Sequence, residues 1–397
     1  MGKLIIHNEN IRDKYEFIKI CPFNALETDG SEVTVNSACK MCKICVKNSK
    51  NNEAEFAEEI APKIDKSLWS GIMVYVDHVE GEIHPVTYEL IGKAKELAKK
   101  VGYEVSCLFM GSGILHQAEN LLYYGVDKVF VYDSVHLENF RIEPYTAVFE
   151  DCVNKSKPSV ILVGATTVGR QLAPRVAARF RTGLTADCTV LDIEENTDLV
   201  QIRPAFGGNI MAQICTPNNR PQLATVRYKV MESAVKSEEK HGEIVLCGID
   251  ESRLASDIKI LDVVKKEKVK SIEAADVIVV AGRGVKTKED LGMIQALCDK
   301  LGGELACTRP LVESGWVEAR RQVGLSGRTV RPKLIITCGV SGAVQFSAGM
   351  NSSEKIFAIN TDEKAPIFKV AHYGIVGDIY EIVPELINRI DSLRGIN

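Results

Sequence analysis

The sequence predicts an α/β protein in three parts: a small cysteine-bearing α+β head, a doubly wound α/β domain with a β-rich extension, and a second doubly wound α/β domain. Three observations carry this. Four of the twelve cysteines fall within the first 45 residues. From residue 71 onward, short β-rich apolar runs alternate with amphipathic helical stretches, the pattern of a parallel sheet covered on both faces. That alternation breaks over 183–249 and restarts at 276. The expected boundaries are 1–66, 67–268 and 269–397.

The head is read from its cysteines. Cys39, Cys42 and Cys45 have two residues in each gap in "ACKMCKIC", and Cys21 precedes Pro22 in "IKICPFNALE". Two-cluster ferredoxins carry C-x2-C-x2-C-x3-C-P twice, and the last cysteine of each run ligates the other run's cluster. On that template Cys21 ends one run, and Cys39, Cys42 and Cys45 begin the other, giving the ligand set of a single [4Fe–4S] cluster. The positions for a second cluster hold Ile11, Lys14, Phe17 and Ser49. The segment resembles a ferredoxin module that kept one cluster. The turn "TDGS" and the strand-like "SEVTVNS" fit its small sheet. A four-cysteine zinc site is the alternative, although zinc knuckles usually pair two C-x2-C turns.

In the middle part, "GIMVYVD" (71–77) leads to the helical "PVTYELIGKAKELAKKVG" (85–102), in which Tyr88, Ile91, Ala94, Leu97, Ala98 and Val101 keep helical spacing. "EVSCLFM", "GILHQAENLLYYG", "KVFVYD", "PYTAVFEDCVNKSK" and "SVILVG" continue as strand, helix, strand, helix, strand. "TVLDI", "LVQIRP", "NIMAQIC" and "QLATVRY" are the strands of the extension. "NNEAEFAEEIAPKIDKSL" (51–68) reads as a polar connector, "KSEEKHGE" (236–243) as a surface loop, and "ILDVVKKEKVKSIEAAD" (260–276) as the joint between domains.

In the last part "DVIVVAGRGV", "ELACTR", "KLIITCG", "KIFAIN" and "IFKVA" read as strands. "KEDLGMIQALCDKLGG", "AVQFSAGM" and "IYEIVPELINRIDSLR" read as helices. Ser341, Gly342 and Ala343 would open a helix whose free amides face an anion at the carboxyl end of a strand. Arg283, between two glycines, suits a phosphate or flavin, or else a surface turn.

Bulk properties narrow the function. Lys and Arg number 49 against 53 Asp and Glu, a net charge of −4, which suggests neither nucleic acid nor an anionic membrane as partner. Hydrophobic residues make up 45% and charged ones 26%, ordinary for a globular protein. There is no apolar run of about 18 residues and no secretory leader, so a cytoplasmic location is expected. The cysteines outside the head are expected to be small buried hydrophobes. No catalytic base or nucleophile is evident, and the seven histidines are dispersed.

"ILVGATTVGRQLAPRVAARFRTGLTADC" (161–188), "GRGV" (282–285), "TRPLVESGW" (308–316), "QVGLSGRTVRPKLIITCGVSGAVQFSAGM" (322–350), "IFAINTDEKAPIF" (356–368) and "AHYGIVGD" (371–378) occur in order. Over roughly residues 70–397 the chain resembles the α subunit of electron transfer flavoproteins. That resemblance implies one FAD in the last domain and a β subunit as heterodimer partner. It implies that Arg283 contacts the nucleotide, that Thr308 and Arg309 match a Ser/Thr-Arg pair with the arginine against the flavin ring, and that Val323, Gly324, Leu325 and Ser326 form a turn whose hydroxyl meets flavin N5. Ser341, Gly342, Ala343, Val344 and Gln345 match the phosphate cradle, and Asn360, Asp378 and Ile379 fall on the adenosine side. Phe346 stands where many members have histidine, and Leu325 where glutamine is commoner, so Phe346 is a contact without a polar role.

Members with a ferredoxin-like head resemble the electron-bifurcating group, which links NADH, ferredoxin and an acyl-CoA dehydrogenase or a lactate dehydrogenase. Within it the expectation is the subunit of a caffeyl-CoA reductase complex, with the lactate dehydrogenase type as the alternative. Either way the chain is an electron-transfer subunit without a catalytic acid or base. The reading from another class is a zinc-headed scaffold that binds nucleotide for structure alone.

Overall fold

The computed structural model describes residues 2–58, 64–205, 210–264 and 271–394. The chain divides into two units, Met1–Ile64 and Asp65–Asn397.

The head pairs strand Gly2–Ile6 antiparallel with Ala54–Glu58, and Leu26–Thr28 antiparallel with Val33–Val35. Helix Lys14–Ile18 is capped by Asp13, whose carboxylate accepts from the amides of Tyr15 and Glu16 at 2.9 and 3.0 Å. The expected connector therefore begins as a strand. Its signal is Ala54 and Phe56 on one face of the strand with the exposed Glu55 between them, a pattern too short to stand out from the polar residues around it. Residues 59–63 of that stretch lie outside the described residues. Ile11, Phe17, Leu26, Val33, Cys45 and Ala54 form the head's core.

In the second unit a seven-stranded parallel sheet runs in the order Leu184–Cys188, Gln222–Val226, Val160–Gly164, Ile72–Tyr75, Val105–Gly111, Lys128–Asp133, Glu243–Leu246. Strand Ile72–Tyr75 shows why both faces must be covered. Ile72 and Val74 pack with helix Val86–Val101 on one face, and Met73 and Tyr75 with helices Ile142–Ser156 and Gly169–Arg179 on the other. The β-rich extension is an antiparallel sheet of Val190–Ile193, Leu199–Ala205 and Ile210–Ile214. "QLATVRY" departs from expectation: it joins the parallel sheet, where all of Gln222–Val226 is buried. The charged loop 236–243 is exposed as expected, and residues 265–270 of the expected joint lie outside the described residues.

The last domain has five parallel strands: β1 Val277–Ala281, β2 Glu304–Cys307, β3 Leu334–Cys338, β4 Lys355–Asn360 and β5 Tyr373–Val376. Their order is β2-β1-β3-β4-β5, a doubly wound arrangement with its switch point between β1 and β3. Val279, Ala281, Ile336 and Ile359 pack with helices Leu291–Leu301 and Ile379–Arg394. Two expected elements differ. "IFKVA" is a 3-10 turn, Pro366–Lys369, because Pro366 starts it and Ile367 is drawn into the core, and the strand falls later at β5. "AVQFSAGM" gives a single helical turn, Val344–Ser347, ended where Gly349 packs against Gly324.

Candidate functional site

A cavity of about 1320 Å³ opens at the carboxyl ends of all five strands of the last domain. Each strand is followed by residues that line it: Arg283 and Gly284 after β1, Thr308 and Arg309 after β2, Gly339 to Ser341 after β3, Asn360 and Thr361 at the end of β4, and Gly377 to Ile379 after β5. The loop Gln322–Ser326 and the cradle residues Ala343, Gln345 and Phe346 complete this part of the wall. Of the residues expected here, Gly342 and Val344 are not on the wall. Gly342 has φ +80° and packs on the Ile367 backbone, and the Val344 side chain is about half exposed. The helix after this turn is only Val344–Ser347, so its dipole adds little at the cavity.

The lining is cationic. Arg203, Arg227, Arg283, Lys286 and Arg309 face it, against Asp378 as the one acid among the described lining residues. Asp378 is occupied locally, accepting from the Tyr380 amide at 3.0 Å at the start of the last helix. Asn360 donates from Nδ2 to the Val340 carbonyl at 2.8 Å and accepts from the Asp362 amide at 2.9 Å, which fixes its plane. Arg309 Nε donates to Glu313 at 2.8 Å on the open side. Gln322 Nε2 donates to Ser326 Oγ at 2.8 Å, so the Ser326 proton is left to point elsewhere. Thr308 Oγ1 is buried and has no partner. Gly324, at φ +135°, lets the loop close on the cradle, where the Leu325 amide donates to the Gln345 carbonyl at 2.8 Å. Phe346 is buried in the core beneath.

Sequence reasoning missed Arg203, Arg227, Lys286 and Gln322. Gln322 stood next to a recognised turn and Lys286 next to "GRGV". Arg203 and Arg227 come from the preceding domain, and no local pattern points to them.

Cys21, Cys39, Cys42 and Cys45 line one small cavity of the head, with Pro22, Phe23, Met41 and Phe56. Met41 and Lys43 hold left-handed φ of 52° and 61°, winding the chain so that Cys42 and Cys45 border the same cavity, Cys45 buried and Cys42 exposed. The Ala25 amide donates to Cys21 Sγ at 3.3 Å. Burial raises the Cys45 thiol, and Cys21 and Cys39 add to this. Among the described residues no group of three or more His, Cys, Asp or Glu side chains is placed to hold a metal ion. The donor set itself, four thiols around one cavity, fits a cluster.

The positions of the second cluster are filled otherwise. Ile11 and Phe17 belong to the head's core. Ser49 Oγ donates to Glu53 Oε2 at 2.7 Å, which also accepts from the amides of Lys50 and Asn51. The Asn51 amide and the Ser49 hydroxyl hold the Glu53 carboxyl down at about 2. Of the remaining cysteines six are buried, while Cys247 is half-buried and Cys215 is exposed at the end of an edge strand.

Residues 72–250 match the electron transfer flavoprotein domain, and residues 271–351 the electron transfer flavoprotein FAD-binding domain. The chain belongs to the α-subunit family of electron transfer flavoproteins. The α subunits of Thermoanaerobacterium thermosaccharolyticum and Clostridium acetobutylicum are 43% and 44% identical to it, covering 83% and 84% of this chain and 99% and 100% of their own. The lactate dehydrogenase (NAD(+),ferredoxin) subunit LctC of Acetobacterium woodii is 56% identical over 394 residues, which is 99% of this chain and 94% of that one. A putative thiamin diphosphate-dependent enzyme structure from Mycobacterium smegmatis aligns at 10% identity and a TM-score of 0.19, covering 81% of this chain and 60% of that one, too weak to bear on the fold. Members of this flavoprotein family pair with a β subunit, and the FAD-binding match falls on the domain whose strand ends form the large cavity. No helix among the described residues is long and apolar enough to cross a membrane.

Proposed function

We propose that this flavoprotein α subunit serves a lactate dehydrogenase complex that uses NAD+ and ferredoxin. It carries one FAD in the 269–397 domain and one [4Fe–4S] cluster in the 1–66 head, with 67–268 as its other α/β domain. The observation that carries this is the LctC match, which runs through the head as well as both later domains. It moves the reading away from a caffeyl-CoA reductase, which none of the relatives above is named for.

FAD, when bound, supplies one- and two-electron chemistry. The chain's part is to bind and orient it. The cationic lining suits a pyrophosphate, and Ser341 and Ala343 offer backbone amides at the turn. The buried Thr308 hydroxyl gains the partner it lacks. Ser326, held by Gln322, presents its proton to a ring nitrogen, and Arg309 and Arg283 supply positive charge at the ring and the nucleotide. Asn360, Asp378 and Ile379 close the adenosine side. In the head, Cys21, Cys39, Cys42 and Cys45 would hold the cluster, with the Ala25 amide already on the Cys21 sulfur. The reading assigns the chain no catalytic acid or base.

The test is anaerobic co-purification of the chain with its β subunit and bound dehydrogenase. The expected result is flavin absorption, four irons per chain and lactate-dependent NAD+ reduction that requires reduced ferredoxin, which is oxidised alongside lactate. Zinc without iron would overturn the cluster, and turnover with caffeyl-CoA in place of lactate would overturn the acceptor.

A further inference from the structure

Two cations of the large cavity do not come from the FAD-binding domain. Arg203 and Arg227 belong to the domain before it and line the same wall as Leu325 and Ser326. Arg227 directly follows the buried strand Gln222–Val226, so its backbone is fixed by the parallel sheet. Its Nη2 donates to the Leu325 carbonyl at 3.2 Å and lies 3.4 Å from Asp187 Oδ2. Its Nε is buried and has no hydrogen-bond partner.

The charges here do not cancel. Asp187 accepts from Arg170 Nε and Nη2 at 3.1 and 3.2 Å, so its carboxylate is already engaged by one guanidinium before Arg227 reaches it. Burial pulls the proton affinity of Arg227 down, Asp187 pushes it back up, and Arg170 and Arg203 pull it down again. A guanidinium that served only as a strut between domains would meet a full complement of acceptors, because an unmade bond on a buried charged group is costly. Arg227 instead keeps an orphan N–H and an unbalanced charge beside a cavity. The contact to Leu325 sets where that charge acts: one residue from Ser326, the hydroxyl assigned to the ring.

We infer that Arg227 sets the charge preference of the bound flavin, as a cation lent by the N-terminal α/β domain to the ring end of the cavity, with Asp187 as the counter-charge that tempers it. This rests on the FAD reading above. Reduction places negative charge on the flavin, and a poorly solvated cation nearby stabilises it by Coulomb attraction. Removing the Arg227 charge makes the first one-electron reduction less favourable. Removing the Asp187 charge makes it more favourable. A packing role gives no reason for the two to differ in sign.

The experiment is a dye-equilibrated spectroelectrochemical titration of the FAD-loaded complex, wild type against Arg227→Gln, Arg227→Lys and Asp187→Asn. The equilibrium constant for the first reduction is expected to fall about tenfold in Arg227→Gln, roughly 59 mV for one electron. It is expected to rise in Asp187→Asn and to stay near wild type in Arg227→Lys. Shifts of the same sign in Arg227→Gln and Asp187→Asn, or no shift in either, overturn the inference. If Arg227→Gln does not fold, Asp187→Asn against Arg227→Lys makes the test: a rise in the first with a near wild-type value in the second is expected, and no rise in Asp187→Asn overturns the inference. A wild-type complex that holds no FAD overturns the FAD reading itself, which is a different outcome from flavin held at unshifted potential.

Discussion

Ser49 stands where a two-cluster ferredoxin would place a ligand, and here it holds a carboxylate. Its hydroxyl and the amides of Lys50 and Asn51 converge on Glu53, while Ile11 and Phe17 fill the core with hydrocarbon. A cluster ligand and a core side chain make opposite demands, since one must present a sulfur and the other must exclude polar atoms. The substitution pattern was therefore readable in the sequence as a count of cysteines, and the Glu53 knot was not, because it depends on where a loop closes. Cys21→Ser is expected to remove the iron as fully as Cys42→Ser, and Ser49→Ala to leave it in place. Iron and sulfide analysis of the three proteins decides this, and iron lost from Ser49→Ala but kept in Cys21→Ser would exchange the two assignments.

Among the elements, the Ser341–Ser347 turn shows how far local pattern reaches. Small residues after a strand announced a tight turn, and the turn is there, but its helix stops after Ser347 because Gly349 is pressed on Gly324. Gly342 shapes the cradle from behind. A Cβ there would sit 2.3 Å from the Ile367 amide nitrogen, at a φ that side chains rarely adopt. Gly342→Ala is expected to cost about 1–3 kcal/mol and to release FAD, readable as a lowered melting point and a colourless purified protein. Unchanged flavin content would show that the turn adapts. Helix Val86–Val101 carries a second test. Its Glu89 is buried against the Lys229 amide at 3.0 Å, and burial raises its carboxyl to about 7. Unfolded glutamate titrates near 4.3. The folded state therefore keeps a proton that the unfolded chain has lost, and stability falls as pH rises from about 4 to about 7. Glu89→Gln should flatten that decline in melting temperature between pH 5 and pH 8. Parallel curves for the two proteins would remove Glu89 as its cause.

At the scale of the molecule, the head and the longer unit have separate hydrophobic cores. Stripping iron from the purified complex with chelator and oxidant is expected to bleach the cluster absorption and leave the flavin bands and the melting transition of the longer unit unchanged. Loss of both chromophores together would mean that the two units stand or fall as one. The sequence by itself determined the four-thiol donor set, the strand–helix alternation and the loops after strands that carry glycine, serine and arginine. Each is written in neighbouring residues, through spacing and backbone preference. Only the tertiary structure decided that Ala54–Glu58 pairs with Gly2–Ile6 and that Gln222–Val226 enters the parallel sheet. It also decided that five strand ends meet at one cavity, and that Arg227, 98 residues from Leu325, faces it with them. Those pairings are settled by burial summed over whole cores, and no window of sequence contains that sum.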